Sequence, residues 1–508
     1  MGTEVELKLA APRAALRQAM HARWLTKAAI DKPNRQRLTS IYFDTPDFAL
    51  RDQGVSLRVR KTDSAKLQTI KATGSDIVGR GEWENEIEDD RPKLSLTRNT
   101  ALAPLLNNQI KRELRPAFET DVERVAVPVR IGKSDIEIAF DQGRVNTPDD
   151  HDGISEIEIE LKKGRRSDMA LLARRLARAF PVSYAARSKA ERGYALLERT
   201  QHAAVLARPL QVTPTMTTAD GFGVIAFECL RQVAANEAAL RRSDPEGVHQ
   251  MRVGLRRLRA ALSLFKDMLE GRETEAIKKD LKWLTEQLSP ARDYDVLVSE
   301  GIAPVLEQHP DQQELRLLES DFEAARHKGH AVARSGVESP RYRRILLDTV
   351  LWVLDGEWRK NRDALVTALR ERPVTAFVRD ELKRRSRKIA KKVRRLDELS
   401  ARRRHKLRIA VKKMRYACNF FEAPIAREAG AKAARKFDRT LKELQSGLGK
   451  LNDIAVHARL ASDFARPGKA TQKAFAIGYL VGQESAMSRR LLRDAAEAGK
   501  RMKKASIF

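Results

Sequence analysis

In the first 200 residues, the feature that most limits the possible folds is a set of short segments in which charged and apolar side chains alternate. In TEVELKLA, residues 3 to 10, Glu4, Glu6 and Lys8 share one face of a strand, because successive side chains of a strand point to opposite sides. Five further segments repeat the pattern, some with carboxylates and others with ammonium or guanidinium groups. Their charged members are Arg58 and Arg60; Lys71; Glu82, Glu84, Glu86 and Glu88; Glu137 and Asp141; and Glu156, Glu158 and Glu160.

For any single strand, a half-buried antiparallel sheet that shows its charged face to water is a sufficient explanation. Six such strands, in which carboxylates and cations are mostly on different strands, favour a binding site instead. Eight strands can close into a barrel that holds one small ligand, and the charged faces then line a tunnel if the apolar faces pack outward. The period-2 segments predict strands at 3–9, 38–43, 54–61, 66–72, 82–88, 122–130, 135–141 and 154–161.

Helical periodicity predicts helices between these strands, so the first part of the chain is expected to be α+β. The third helix is expected to begin at Ser167 as its N-cap. The predicted helices are 12–29, 101–113, 167–179 and 187–199.

Buried charges need counterions, so the cationic strands are expected to bind an anion and the acidic strands a metal. Guanidinium groups suit phosphate oxygens, and clustered carboxylates suit a hard cation such as Mg²⁺ or Mn²⁺. A metal triphosphate satisfies both. The sequence contains no P-loop, G-x-G-x-x-G or G-x-S-x-G motif that would indicate another nucleotide-binding or hydrolase site.

An ordered set of motifs makes residues 1 to 200 closely similar to the CYTH, or triphosphate tunnel metalloenzyme, superfamily. The resemblance implies an eight-stranded antiparallel tunnel that binds metal and phosphates inside. Members of the superfamily include inorganic triphosphatases, thiamine triphosphatases and class IV adenylate cyclases. The motifs are EVELK (4–8), IYFDTP (41–46), SLRVR (56–60), QTIK (68–71), IEIAFDQG (136–143), SEIEIEL (155–161) and SKAERGY (188–194).

By this resemblance, five carboxylates would bind the metal and seven cations would hold phosphate oxygens. The metal ligands implied are Glu4, Glu6, Glu156, Glu158 and Glu160. The phosphate contacts implied are Lys8, Arg58, Arg60, Lys71, Arg124, Lys189 and Arg192. We expect a metal-activated water to attack the terminal phosphorus in line, with Glu4, Glu6, Lys8 and Lys71 in the catalytic set. Spacing alone leaves a surface position open for Arg124, and Glu84 and Glu86 could instead balance positive charge.

The charge of the chain is concentrated in its second part. The chain has a net charge of +29, whereas residues 1–200 hold 36 basic and 30 acidic side chains. A proline- and threonine-rich stretch at 207–222 separates the two parts. We therefore predict a tunnel domain at 1–205, a linker at 206–218 and a helical domain at 219–508, with repeats at about 219–335 and 340–508.

Two cysteines without metal-ligand spacing, a charged amino terminus and no long apolar run predict a cytoplasmic protein without a membrane span.

The second part contains an internal repeat, in which residues 248–265 match residues 404–421. Both copies carry basic residues at offsets 0, 3, 7 and 10 from a histidine, opposite an apolar helical stripe. A second match aligns Asp293 with Asp453 and supports duplication. The repeated basic residues are His249, Arg252, Arg256 and Arg259 in one copy, and His405, Arg408, Lys412 and Arg415 in the other.

This half resembles the CHAD domain, which is often fused to CYTH. The resemblance implies a helical bundle of two related halves with a basic groove for inorganic polyphosphate. The two histidines are interpreted as phosphate or hydrogen-bond contacts, and a helix-capping role is equally open. Nucleic acid is the main rival partner, although the aromatic content of 6% is low for base stacking. Membrane association is less favoured.

The sequence thus predicts a metal-dependent hydrolase of inorganic triphosphate, or of short polyphosphate ends, with Mg²⁺ or Mn²⁺ as cofactor. One alternative is a largely non-catalytic protein that binds polyphosphate or targets polyphosphate granules. The other is a tunnel enzyme for an organic triphosphate, either a thiamine triphosphatase or a class IV adenylate cyclase. Oligomeric state is not determined.

Overall fold

The first part of the chain is a closed antiparallel β-barrel. The computed structural model describes residues 2–72, 79–396, 398–462 and 470–505, without the side chains of residues 2–4, 80, 401, 461–462, 470–475 and 484–485. Nine strands form one sheet: β1 Gly2–Ala10, β2 Asn34–Asp44, β3 Val55–Lys61, β4 Lys66–Ala72, β5 Gly79–Ile87, β6 Arg115–Ile131, β7 Ser134–Asn146, β8 His151–Lys163 and β9 Ser183–Tyr184.

Closure of the barrel depends on β1, which pairs with a strand on each side. The sheet order is β5-β4-β3-β2-β6-β7-β8-β1, and β1 also pairs with β5. Leu7 of β1 lies opposite Ile159 of β8, and Val5 lies opposite Gly79 of β5. The predicted eight-stranded tunnel is therefore confirmed, with the two-residue β9 added at the edge of β1.

The apolar faces of the strands point away from the tunnel. Leu7, Leu9, Ile157 and Ile159 are fully buried, and they alternate with the charged residues of β1 and β8. A helix at Arg166–Ala179 contacts β8 and β6 and contributes buried Leu172 and Leu176. Burial of this outer layer is what turns the charged faces inward.

Several helices surround the barrel, and two of the four predicted helical segments form shorter elements than predicted. The helix predicted at 12–29 is two helices, and the one predicted at 101–113 is a 3₁₀ turn at Ala103–Leu105 followed by a short helix. Asn107 caps that short helix, because its side chain accepts a hydrogen bond from the Ile110 amide at 2.8 Å. The helices are α1 Arg13–Met20, α2 Arg23–Ala28, α3 Ala49–Asp52, α4 Asn108–Glu113, α5 Arg166–Ala179 and α6 Lys189–Leu197, with a further 3₁₀ turn at Leu94–Thr97.

The predicted N-cap at Ser167 is wrong, because α5 begins at Arg166 and Arg165 is the N-cap residue. Ser134 of β7 anchors the first turn instead. Its hydroxyl accepts a hydrogen bond from the Arg165 amide at 2.8 Å and donates to Asp168 at 2.6 Å. A tertiary partner therefore replaces the local cap that the sequence suggested.

The helix α6 begins with a capping box. Ser188 accepts a hydrogen bond from the Glu191 amide, and the Glu191 side chain accepts one from the Ser188 amide at 2.7 Å. The cap sets Lys189 as the first helical residue, and the Lys189 side chain enters the barrel interior.

The rest of the chain is helical. One compact unit comprises 1–206, 230–242 and 338–360, and the other comprises 207–229, 243–337 and 361–508. The predicted domain boundaries stay a prediction. These helices are α7 Thr218–Ala235, α8 Glu237–Arg241, α9 Pro245–Leu264, α10 Arg272–Val296, α11 Ala303–Gln308, α12 Gln313–Glu338, α13 Pro340–Asp355, α14 Glu357–Lys360, α15 Ala364–Glu371, α16 Val374–Val393, α17 Ala401–Phe420, α18 Glu422–Ala429, α19 Ala431–Ser462, α20 Ala470–Ala486 and α21 Ser488–Lys504, with a π-helical turn at Leu297–Ile302.

The two copies of the repeated motif both form helices, α9 and α17, which pack against each other. In each, the apolar stripe is buried, as Leu255 and Leu258 show in α9 and Val411 and Met414 in α17. The predicted helical domain is confirmed, and its twofold internal repeat stays a prediction. Among the described residues, no helix is long and apolar enough to span a membrane.

Candidate functional site

The barrel encloses a charged cavity of about 440 Å³. Residues of all eight strands β1 to β8, and of the start of α6, line this cavity. Nine of the residues predicted for the site line the cavity: Glu6, Lys8, Arg58, Arg60, Lys71, Arg124, Glu158, Glu160 and Lys189. The structure therefore brings together side chains that lie up to 183 residues apart in the sequence.

Glu158 is the centre of the ion-pair network in this cavity. Its carboxylate accepts hydrogen bonds from Lys8 at 2.6 Å and from Lys189 at 2.8 Å, and it also accepts one from Arg124. Register explains the first contact, because Lys8 of β1 lies directly opposite Glu158 of β8. Three cations on three elements thus converge on one buried carboxylate.

Arg124 and Lys189 also share Asp141 of β7. Arg124 forms two parallel hydrogen bonds with Asp141, at 2.7 and 2.6 Å, and Lys189 donates to the same carboxylate at 2.7 Å. Lys189 further donates to Glu156. The surface position considered for Arg124 is therefore wrong, since its side chain lies inside the barrel.

Two other cations of the cavity have hydroxyl groups as partners instead of carboxylates. Arg60 donates to Ser40 at 3.3 Å, and Arg58 donates to the Tyr42 hydroxyl at 3.4 Å. Both pairs are cross-strand neighbours of β2 and β3. In the part of the chain that the structure describes, neither guanidinium has a carboxylate within ion-pairing distance, and the buried Nε of Arg58 has no hydrogen-bond partner.

The ionisation of these groups follows from their partners. Burial opposes charge at Lys189 and Lys8, but the adjoining carboxylates outweigh it and raise the pKa of both ammonium groups. Burial also opposes charge at Glu158, yet Lys189, Lys8 and Arg124 hold the pKa of this carboxyl well below its usual range. Arg60 differs, because burial and the charges of Arg58 and Arg124 lower its pKa to about 10. An anion between the two arginines would relieve this repulsion.

Three carboxylates of the barrel fit a divalent cation. Asp141, Glu156 and Glu158 are buried, and each offers an oxygen within 4.8 Å of the others. Hard cations such as Mg²⁺ and Mn²⁺ take oxygen ligands of this kind. These oxygens suit the predicted cofactor, and a metal ion among them would take the place of the Lys189 ammonium, which contacts all three carboxylates. Asp141 was not among the predicted ligands.

The remaining predicted residues occupy different positions. The side chain of Glu4 lies outside the described residues. Arg192 donates to Asp152 at 2.8 and 2.6 Å and is not among the residues that line the cavity. Two of the nine lining residues have ion pairs of their own, Lys71 with Glu82 at 3.1 Å and Glu160 with Lys162 at 2.7 Å.

Asp141, Ser40 and Tyr42 contribute to the site, but no individual role was predicted for them from the sequence. Asp141 lies with Glu137 on the charged face of β7, so the alternation of charged and apolar residues in this strand could have indicated that it faces the tunnel. Ser40 and Tyr42 are polar members of β2, and their link to arginines appears only in the barrel register.

A second group of cations lies between the repeated helices. We call Arg252 and Arg256 of α9 with Arg408 and Lys412 of α17 the helical cation cluster. Burial and the neighbouring charges of Arg256 and Arg408 lower the pKa of Lys412 to about 7. Burial likewise lowers the pKa of Arg252 to about 10, against the opposing effect of Asp293. The predicted basic faces therefore converge on one another.

Negative charge near the helical cation cluster is sparse. Asp293 of α10 lies 3.6 Å from Arg252, and the charge of Asp453 of α19 acts on Arg408 and Lys412. Buried nitrogens of Arg252, Arg256 and Arg408 have no hydrogen-bond partner among the described residues. Buried guanidinium groups left unpaired are costly, and an anion would satisfy them.

The two histidines differ in their surroundings. His405 is exposed, and its Nδ1 lies 2.7 Å from the Asn452 side-chain oxygen. Burial and the charge of Arg292 lower the pKa of His249 to about 4. Asp244 and Ser400 are the N-cap residues of α9 and α17, so neither histidine caps its helix. Arg292 was not identified from the sequence.

Family models match both parts of the chain. The CYTH domain matches residues 2–194, and the CHAD domain matches residues 224–462. A solved CHAD domain from the plant Ricinus communis is 30% identical, with a TM-score of 0.51, and the match covers 59% of this chain and 96% of the plant domain. This chain contains a CYTH domain and belongs to the CHAD family. The barrel is the CYTH domain, and the helical region that contains α9 and α17 is the CHAD domain.

A curated relative extends the similarity of the CYTH domain. The inorganic triphosphatase of Haemophilus influenzae is 33% identical over 198 residues, which are 38% of this chain. The chain spans about half the length of this relative, 54%.

The ion-pair network makes one stability prediction. Glu158→Gln leaves Lys8, Arg124 and Lys189 around a neutral amide, so we expect the free energy of unfolding to fall by about 3 kcal/mol. Chemical denaturation in a chelating buffer measures it. Glu137→Gln is the matched control, because Glu137 lines the same cavity but its ion pair with Lys162 is 3.7 Å long. Equal losses in both variants would contradict the central role of Glu158.

Proposed function

We propose that this protein hydrolyses inorganic triphosphate, or short polyphosphate ends, in the CYTH tunnel, and that its CHAD domain binds polyphosphate. Hydrolysis in the tunnel is supported by a difference between two groups of tunnel cations. Lys8, Arg124 and Lys189 are neutralised by carboxylates, whereas Arg58 and Arg60 have hydroxyl partners. Their positive charge is available to a phosphate chain.

The carboxyl groups of the tunnel are in the ionised form that binds cations. Carboxyls whose pKa is depressed, as those of Glu158 and Asp141 are, remain ionised and are weak proton acceptors. We therefore assign Asp141, Glu156 and Glu158 to the metal site, where the metal would displace the Lys189 ammonium from between them. Glu6 and Glu160 are further candidates from the resemblance. Mg²⁺ or Mn²⁺ bound there would supply Lewis-acid charge for the phosphate oxygens.

Four tunnel side chains have roles in the hydrolysis. Arg58 and Arg60 bind the phosphate chain and neutralise charge on its oxygens. Lys8 and Lys189, whose pKa values are raised, stay protonated and add fixed positive charge. Water attacks the terminal phosphorus in line, the bond to the bridging oxygen breaks, and diphosphate and phosphate leave.

The tunnel lining favours an inorganic substrate. Among the described lining residues, Tyr42 is the aromatic side chain, and its ring already stacks on Phe118 with centroids 4.6 Å apart. The other lining residues are charged or small. A nucleobase or thiazole ring would find no further aromatic surface there, so inorganic triphosphate is preferred to thiamine triphosphate or a nucleotide.

The helical cation cluster supports polyphosphate as the second ligand. Its buried, unpartnered nitrogens require acceptors, and a chain of phosphates supplies acceptors at regular spacing. Nucleic acid would provide phosphates too, but its bases would need stacking surfaces. A cytoplasmic location, with association with polyphosphate granules, is part of this proposal.

The first prediction concerns hydrolysis by the full chain. Arg60→Ala removes an uncompensated phosphate contact, so kcat/KM for tripolyphosphate should fall by about 100-fold with Mg²⁺ or Mn²⁺. Phosphate release measures it. Arg37→Ala is the control, because Arg37 is exposed and pairs with Asp121 outside the cavity.

Other outcomes of the same assay separate the alternatives. No release from tripolyphosphate by the unaltered chain would favour a binding protein. Faster release from thiamine triphosphate would favour an organic substrate, and so would formation of cyclic AMP from ATP. An unchanged rate in Glu6→Gln would remove Glu6 from the metal ligands.

The second prediction concerns the CHAD domain. Arg256→Ala removes one half-buried guanidinium, whose buried Nε has no hydrogen-bond partner among the described residues, from the helical cation cluster, so the Kd for long-chain polyphosphate should rise about tenfold at constant salt. Arg435→Ala, on the exposed side of α19, should leave the Kd within about twofold. Fluorescence anisotropy with labelled polyphosphate measures both. Equal affinity for duplex DNA across salt would show unselective electrostatics instead.

The third prediction is pH dependence. The pKa of Lys412 is lowered to about 7 in the free protein, and a bound polyanion would raise it, so binding should take up a proton. Affinity should then be highest below pH 7 and fall as pH rises above it, by up to about tenfold per pH unit. In Lys412→Arg the charge persists and this dependence should vanish. Isothermal titration calorimetry in buffers of different ionisation enthalpy counts the proton.

A further inference from the structure

The side chain of Tyr42, in the IYFDTP motif, lines the tunnel cavity. It has no part in the ion-pair network around Glu158 or in the proposed hydrolysis. It is 3% exposed. Its hydroxyl oxygen accepts a hydrogen bond from Arg58 at 3.4 Å. An oxygen that accepts keeps its own O–H for another partner, and no acceptor for it is present among the residues that the structure describes.

The ring of Tyr42 is held firmly by neighbouring side chains. It stacks on Phe118 with an angle of 16° between the planes and belongs to a core cluster that includes Val122, Val145 and Ile154. The register places Tyr42 opposite Arg58 and Ser40 opposite Arg60. The hydroxyl therefore lies beside the two guanidinium groups that lack carboxylate partners.

The surroundings also make the hydroxyl a stronger donor. Burial alone would raise the pKa of Tyr42, but the charges of Arg58, Arg60 and Lys189 outweigh it and lower the pKa below its ordinary value of 10.0. A more acidic O–H forms stronger hydrogen bonds to anionic oxygens. The 3.4 Å contact with Arg58 is long, so the hydroxyl contributes little as a restraint on that arginine.

We propose that the Tyr42 hydroxyl donates a hydrogen bond to an oxygen of the phosphate chain bound at Arg58 and Arg60. The proposal rests on the proposed triphosphatase function of the tunnel. Tyr42 thereby becomes a substrate-binding residue that supplies a neutral donor where the other phosphate contacts are cations. An anionic oxygen is the acceptor that this buried, otherwise unused O–H fits.

Tyr42→Phe in the full chain tests the proposal. The ring and its stacking on Phe118 remain, and one hydrogen bond to a charged group is lost. We expect KM for tripolyphosphate to rise about tenfold or more, with a smaller change in kcat.

The matched control is Tyr194→Phe. Tyr194 packs in the same aromatic cluster, but its hydroxyl donates to Asp44 at 2.7 Å and does not line the cavity. This variant should lower the midpoint of thermal unfolding and leave KM unchanged. A KM within about twofold of the unaltered protein in Tyr42→Phe would overturn the inference. Absence of hydrolysis by the unaltered chain would instead overturn the proposed function.

A pH profile gives a second readout if Tyr42→Phe does not fold. The tunnel groups whose charges act on the phenol are Arg58 and Arg60 of β3 and Lys189 of α6, and the Tyr194 hydroxyl interacts with it from outside the cavity lining. A phenolate cannot donate, so kcat/KM should fall as pH rises through the phenol pKa. Site-specific fluorotyrosine at position 42 keeps the ring and should move that fall to lower pH. An unmoved profile would overturn the proposal.

Discussion

The balance of buried charge around Glu158 is the interaction on which the barrel depends. Three cations, from β1, β6 and α6, donate hydrogen bonds to the Glu158 carboxylate. Two of them, Arg124 and Lys189, also donate to Asp141, and Lys189 donates to Glu156 as well. Removing so many charges from water is costly, and close partners of opposite sign offset that cost for the charges around Glu158. The outward apolar faces of the strands pack against helices, which leaves the charged faces with no position except the interior. Closure of the sheet and compensation of charge therefore require each other.

The same contrast between paired and unpaired cations appears in both domains. In the CYTH domain, Arg58 and Arg60 have hydroxyl partners while their neighbours have carboxylates. In the CHAD domain, the charges of Asp293, Asp295 and Asp453 act on the helical cation cluster, and several of its buried nitrogens have no hydrogen-bond partner within the described part of the chain. A protein that folds with unpaired buried cations gives up some stability, and a bound polyanion would supply the missing partners. The two sites thus follow one physical principle on unrelated folds.

Much of the tunnel was predictable from alternation, because side chains two apart in a strand share a face. Glu156 and Glu158 enter the interior for that reason, and so do Arg58 and Arg60. The limits of local reasoning are equally specific. Ser167 looks like a helix cap, but Ser134 from another strand anchors that turn. Arg192 carries a charge suitable for phosphate, yet Asp152 holds it away from the cavity lining.

The sequence by itself determined which side chains share a face, the helical periodicity of α9 and α17, and the separation of charge between the two parts of the chain. These properties depend on the fixed periods of strand and helix. Only the tertiary structure decided which charges meet. Lys189 reaches Asp141, and Tyr42 lies beside Arg58, because strand register and barrel closure bring distant segments within a few ångströms. Partner choice depends on that three-dimensional register, which no local pattern encodes.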